Sequence, residues 1–140
     1  MPNRAANLLL LGANGSHVRS IGALRAAGFV VIAVDDLPVA LGLRAADHGV
    51  QVSPSQVEPV LAALEDFPDP DGVLFTNEEA LETAFEVANH FSLSWPPADA
   101  RSALGSKERQ RQAWNRDPNL HVAYRAVNSA EALEQAAEEI

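Results

Sequence analysis

Residues 7–36 read NLLLLGANGSHVRSIGALRAAGFVVIAVDD, and this stretch decides the fold. Asn7-Leu8-Leu9-Leu10-Leu11 is a short apolar run that ends in a glycine turn, the pattern of a strand buried on both faces. The turn itself is Gly12-Ala13-Asn14-Gly15-Ser16. Beyond it Val18, Ile21 and Leu24 recur at helical spacing, and Gly28 stands where a helix C-terminal glycine belongs. Phe29-Val30-Val31-Ile32-Ala33-Val34 is a second buried strand, closed by Asp35-Asp36. Strand, helix, strand in this span is a βαβ unit with a right-handed crossover.

The pattern continues outward. Residues 39–46 predict a short helix after Pro38, and Gly49-Val50-Gln51-Val52 a short strand. Ser53-Pro54-Ser55-Gln56 reads as a helix start, with Ser53 as cap, proline in the first position and Gln56 closing a capping box. Val57, Val60, Leu61 and Leu64 carry that helix inward. After the turn residues Pro68 to Gly72, Val73-Leu74-Phe75-Thr76 is a fourth strand, and Asn77 caps a helix with Glu78 and Glu79 in its first turn. Phe91-Ser92-Leu93 is expected to add a short fifth strand. Trp95-Pro96-Pro97 breaks the rhythm. Residues 1–95 are therefore expected to form a doubly wound parallel α/β domain of Rossmann-like type, and residues 96–140 a helical and strand linker. In the linker, residues 97–104 and 107–115 predict helices, the second capped by Ser106. Residues 121–127 alternate like a strand, and Asn128 or Ser129 caps a last helix from Ala130 to Ile140. That helix carries no stop signal, so the chain is expected to be a fragment of something longer.

Composition limits the function. A net charge of -9 disfavours nucleic acid and anionic membrane as partners. The basic cluster Lys107, Arg109 and Arg111, with Arg116 beyond it, has Glu108 and Asp117 as neighbours. No apolar run approaches the roughly 20 residues of a membrane span, and Met1-Pro2-Asn3-Arg4 does not begin a signal peptide. With no cysteine there is neither a disulfide nor thiolate chemistry, and cytoplasm is the expected compartment.

Three places could carry chemistry. The Gly12 to Ser16 turn leads into a helix N-terminus, where backbone N–H groups and the helix dipole favour an anion. Asp35 ends the next strand, where a dinucleotide fold places its ribose-binding acid, so an NAD(P)-binding module is an alternative. The third glycine of that fingerprint, due near Val18, is absent. Thr76-Asn77-Glu78 ends a central strand, along the edge where open α/β sheets bind ligands, although Asn77 and Glu78 equally suit helix capping. His17, His48, His90 and His121 have no metal-ligand spacing, Ser16 has no nucleophile elbow, and no catalytic residue is assigned. Asp35-Asp36 follows the second strand instead of the first, which argues against a receiver-type phosphoacceptor pocket.

Taken in order, these stretches resemble the pre-ATP-grasp domain and following linker at the N-terminus of ATP-grasp ligases. The resemblance rests on Leu8 to Gly28, Val31 to Asp35 with Ala45-Ala46-Asp47-His48, Asp71 to Glu78 with the helix to Leu93, and Gly105-Ser106-Lys107 to Arg111. Val127-Asn128-Ser129-Ala130-Glu131 with Glu134 is similar to the segment before the family's nucleotide-binding strands. It implies the substrate-side domain of an ATP-dependent carboxylate–amine ligase with an acyl-phosphate intermediate. ATP and Mg2+ would serve the full-length protein, with no cofactor and no catalysis expected in this fragment. Gly12, Asn14, Gly15, Ser16, Asn77 and Glu78 would then line a substrate site for a small carboxylate or amine, and Lys107 would reach nucleotide phosphates. Ser106 departs from the family's commoner Asp or Asn. The family likeness also implies a homodimer, and a purely dimerising, non-catalytic domain is the remaining alternative.

Overall fold

A computed structural model describes residues 4–95 and 98–139. It divides into two compact units, Met1–Trp95 and Pro96–Ile140.

In the first unit four strands form one parallel sheet in the order β3-β2-β1-β4: β1 Asn7–Leu11, β2 Val30–Val34, β3 His48–Val50 and β4 Gly72–Phe75. The register pairs Leu9 with Ile32 on one side and with Val73 on the other. Alternate β1 side chains therefore enter different layers. Leu9 and Leu11 join Ile32, Val34 and Val50 beneath helices α3 (Val57–Leu64) and α4 (Leu81–His90), through Val60, Leu64, Ala84 and Val87. Leu10, Val31 and Ala33 face the other way, onto Ile21 of helix α1 (Val18–Ala26), with Leu43 of helix α2 (Leu41–Ala45) beside them. Burial on both faces explains why β1 and β2 read as unbroken apolar runs. Each fully buried leucine here is worth roughly 1.5–3 kcal/mol. β4 lies beyond β1, on the side away from β2, and Leu74 on the α1 face stays 42% exposed.

The ends of the helices explain where the sequence reading needs correction. α1 ends in a Schellman motif, with Gly28 at φ 93°, Phe29 N–H on the Leu24 carbonyl and Gly28 N–H on that of Arg25. The same motif ends α4, and it overturns the expected fifth strand at residues 91–93. Leu93 N–H bonds the Ala88 carbonyl at 2.8 Å and Ser92 N–H that of Asn89 at 3.2 Å, with Ser92 at φ 55°. Those donors serve the helix end, so the segment is a cap. Ser53 does not cap α3 either. Gln56 occupies the cap position without a side-chain bond, while Ser53 accepts from the Gln56 N–H in a turn that precedes the helix.

The second unit holds α5 (Ala98–Leu104), α6 (Lys107–Trp114) and α7 (Ala130–Glu139). Ser106 caps α6 through Arg109 N–H at 3.3 Å, and Ser129 Oγ accepts from Ala132 N–H at 3.1 Å. Residues 121–127 form no strand, because no neighbouring strand offers them a ladder. The expected start of α5 at Pro97 lies outside the described residues. Among the described residues no helix is long and apolar enough to cross a membrane.

Candidate functional site

β1 leads to β2 on one side, while β4 pairs with β1 on the other. The chain therefore parts at the carboxyl ends of β1 and β4, which opens the crevice where parallel α/β sheets take ligands. Two segments meet there: the turn after β1 and the Thr76-Asn77 end of β4. Thr76 N–H bonds the Leu11 carbonyl at 3.0 Å, and the Thr76 hydroxyl lies 3.1 Å from the Gly12 carbonyl and 3.3 Å from that of Leu11. Gly12 sits at φ 87°, and a Cβ there would collide with Thr76 Oγ1. Glycine is required at this position by conformation and by space.

Most of the turn's polar groups are held by the protein itself. Gly12 N–H bonds the Val34 carbonyl at 2.9 Å. Ala13 N–H bonds Asp35 Oδ2 at 2.8 Å, and the Ala13 carbonyl accepts from Gly42 N–H at 2.9 Å. A side chain at Gly42 would strike the Ala13 backbone. Asn14 Oδ1 accepts from Ser16 N–H at 3.0 Å and from the Ser16 hydroxyl at 2.6 Å, while the Asn14 carbonyl accepts from His17 N–H at 3.1 Å. Among the described residues, no group accepts from the N–H of Asn14 or Gly15. These two exposed donors, ahead of the short 3-10 turn Gly15–His17 and α1, are what the turn can offer a ligand oxygen.

Asn77 serves on two sides. Its Oδ1 caps the 3-10 turn Glu78–Ala80 through Ala80 N–H at 3.0 Å, and its Nδ2 lies beside Gly12, 3.6 Å from the place of a Cβ there. Glu78 is exposed in that first turn. Gly12, Asn14, Gly15, Ser16, Asn77 and Glu78 thus all stand on one edge of the first unit. Lys107, the first residue of α6, belongs to the second. Thr76, already marked at the end of β4, proves to be the neighbour that fixes Gly12, while Gly42, the close approach to Ala13, has no motif in the sequence. A glycine inside a short helix is the one signal that marked Gly42.

Asp35 is not placed as a dinucleotide acid. It is 6% exposed, and its second oxygen accepts from Leu37 N–H at 3.0 Å. With one oxygen on Ala13 and the other on Leu37, the carboxylate turns toward its own backbone and away from a ribose. Among the described residues no three His, Cys, Asp or Glu side chains gather into a metal set.

The fold defines a class, the open parallel α/β domains with a crevice at the switch point of the sheet. No family model and no curated protein matches the chain. Solved structures do. The structure of glycinamide-RNase-transformylase T from Mycobacterium tuberculosis matches 94% of this chain at 24% identity with a TM-score of 0.69. An ADP complex of N5-carboxyaminoimidazole ribonucleotide synthetase matches 99% at 17% identity and 0.70, and an L-amino acid ligase from Bacillus licheniformis 98% at 17% and 0.66. At these identities the likeness shows a shared fold. The chain spans 38%, 36% and 42% of the lengths of those three proteins.

Proposed function

We propose that residues 1–140 are the substrate-side N-terminal part of an ATP-dependent carboxylate–amine ligase of the ATP-grasp type. One observation carries the reading: nearly the whole chain shares its fold with about two-fifths of a synthetase in complex with ADP, an L-amino acid ligase and a transformylase. The motif order from the glycine turn to the Ser106-Lys107 helix supports it. In this reading the Asn14 and Gly15 N–H groups and Asn77 Nδ2 donate to a carboxylate oxygen of the small substrate. Ser16 and Glu78 border it, and Lys107 serves nucleotide phosphates.

The chemistry belongs to the full-length protein. ATP with Mg2+ would supply activation of a carboxylate as its acyl phosphate, which an amine then attacks. In this reading the residues of this chain bind and orient the substrate, and no further step is assigned to them. The test is phosphate release from ATP and Mg2+ in the presence of panels of carboxylates and amines. The 140-residue chain is expected to give none, and the full-length protein to turn over with its correct pair. Robust magnesium-dependent turnover by the 140 residues alone would overturn the proposal. NAD(P) binding is the competing reading, and the inward turn of Asp35 disfavours it. A saturable NAD(P)H fluorescence shift that Asp35→Ala abolishes would restore it.

A further inference from the structure

The basic residues of α6 stand on two opposite sides. At 3.6 residues per turn, Lys107, Arg111 and Trp114 share one stripe, while Arg109, Gln112 and Arg116 share the opposite one. Arg116 stays in line because Asn115 and Arg116 N–H continue the turn onto the Arg111 and Ala113 carbonyls. Each stripe has its own cavity. Arg111 and Trp114 line one of about 400 Å3 with Leu120 and His121. The other, of about 440 Å3, lies between α5 and α6, where Arg109, Gln112, Arg116 and Ser102 surround an alanine floor.

This second cleft is built for negative charge. Residues 99–117 hold five of the chain's ten Lys and Arg residues and three carboxylates, Asp99, Glu108 and Asp117, in a protein of net charge -9. Glu108 accepts from Gln112 Nε2 at 3.1 Å. Arg109 Nη1 donates to Ser102 Oγ at 2.7 Å, which holds its guanidinium across the gap between the helices. Arg116 is exposed and has no carboxylate partner among the described residues. Two guanidinium groups over an alanine floor, with no acid among the described residues that line the cleft, suit a compact dianion that accepts several hydrogen bonds. Its volume falls in the range of small-molecule sites.

We propose that the α5–α6 cleft binds a phosphoryl dianion, carried by inorganic phosphate or a small phosphate ester, on the face of α6 opposite Lys107. The site goes beyond the ligase reading and stands without it. The 140-residue chain is titrated with inorganic phosphate, pyrophosphate and glycerol 3-phosphate at constant ionic strength, followed by the NMR signals of arginine Nε–H and backbone amides. Saturable shifts at Ser102, Arg109 and Arg116 are expected. Arg116→Ala should weaken binding about tenfold or more, the effect of losing a charge-assisted contact. Arg116→Lys should fall between, and Arg44→Ala, an exposed arginine on α2, should bind as the parent chain does. Tighter binding of glycerol 3-phosphate identifies the ester as the source, and equal or weaker binding identifies free phosphate. Arg109 also ties α5 to α6, so Gln112→Glu, which sets a carboxylate in the cleft, is the second variant and must weaken binding with an unchanged circular dichroism spectrum. The proposal fails if the shifts do not saturate, if chloride at equal ionic strength reproduces them, or if Lys107→Ala removes binding while Arg116→Ala leaves it.

Discussion

Asp35, Asp47 and Asp71 share one task. Each carboxylate accepts a backbone N–H just outside or at the start of a neighbouring strand: Ala13 at 2.8 Å, Val31 at 2.9 Å and Asn7 at 2.8 Å. Asp47 and Asp71 also pair by backbone, from their own N–H to the Val31 and Asn7 carbonyls, and each binds an arginine, Arg25 and Arg4. The sequence marks these acids only as residues at strand ends, so Asp35 reads equally as a ligand group and as a latch. The partner decides, and the partner is distant in the chain. The Val31 N–H bond, with Arg25, holds the Asp47 carboxyl below the usual range against the opposing effect of burial. A lowered folded pKa means stabilisation that is complete above the ordinary Asp value of about 3.9 and lost as the pH falls through the depressed value. Asp47→Asn is therefore expected to flatten the acid limb of the stability curve below about pH 4, read from urea midpoints across pH. Gly12→Ala should destabilise by about 2 kcal/mol or more, from positive φ and the contact with Thr76. Thr76→Ala in that background should recover part of the loss in the same measurement, because it removes the contact and leaves the φ strain.

Helices and strands differed in how clearly they could be read. The β1 and β2 runs and the cap residues Asn77 and Ser106 carry local, redundant signals. Residues 91–93 and 121–127 carry only apolar content and alternation, which a strand, a cap and an extended segment share. What separates them is the destination of their N–H groups. At 91–93 these return to α4. Serine in the left-handed region costs about 1 kcal/mol against glycine, so Ser92→Gly should raise the thermal midpoint by several degrees with no change in fold. A midpoint unchanged or lowered would show that the serine side chain contributes there in some other way.

At the scale of the whole molecule, stability is unevenly placed. Both core clusters belong to the first unit, whereas Ala136 is the one buried side chain described in the second. Hydrogen exchange should follow this division. The amides of Leu9 to Leu11 and Val31 to Val34 are expected to exchange slowest, and those of α5 and α6 faster by orders of magnitude. Protection of α6 equal to that of β1 would contradict the division. The parallel sheet was legible because β1 and β2 are buried on both faces and the turn after β1 carries glycine. The two faces of α6 were not, because a run of basic residues gives no hint of which cavity each one meets.

The shape of the glycine turn is a long-range property. Its φ and its hydrogen bonds are fixed by Asp35, Gly42 and Thr76, so a turn made before those residues is completed only after them. During synthesis, a nascent chain that has not yet released β4 carries the turn's sequence without its geometry. The exposed donors of this edge therefore take their places only after the sheet has closed. Weakening the turn should chiefly hasten unfolding and leave the rate of folding nearly unchanged.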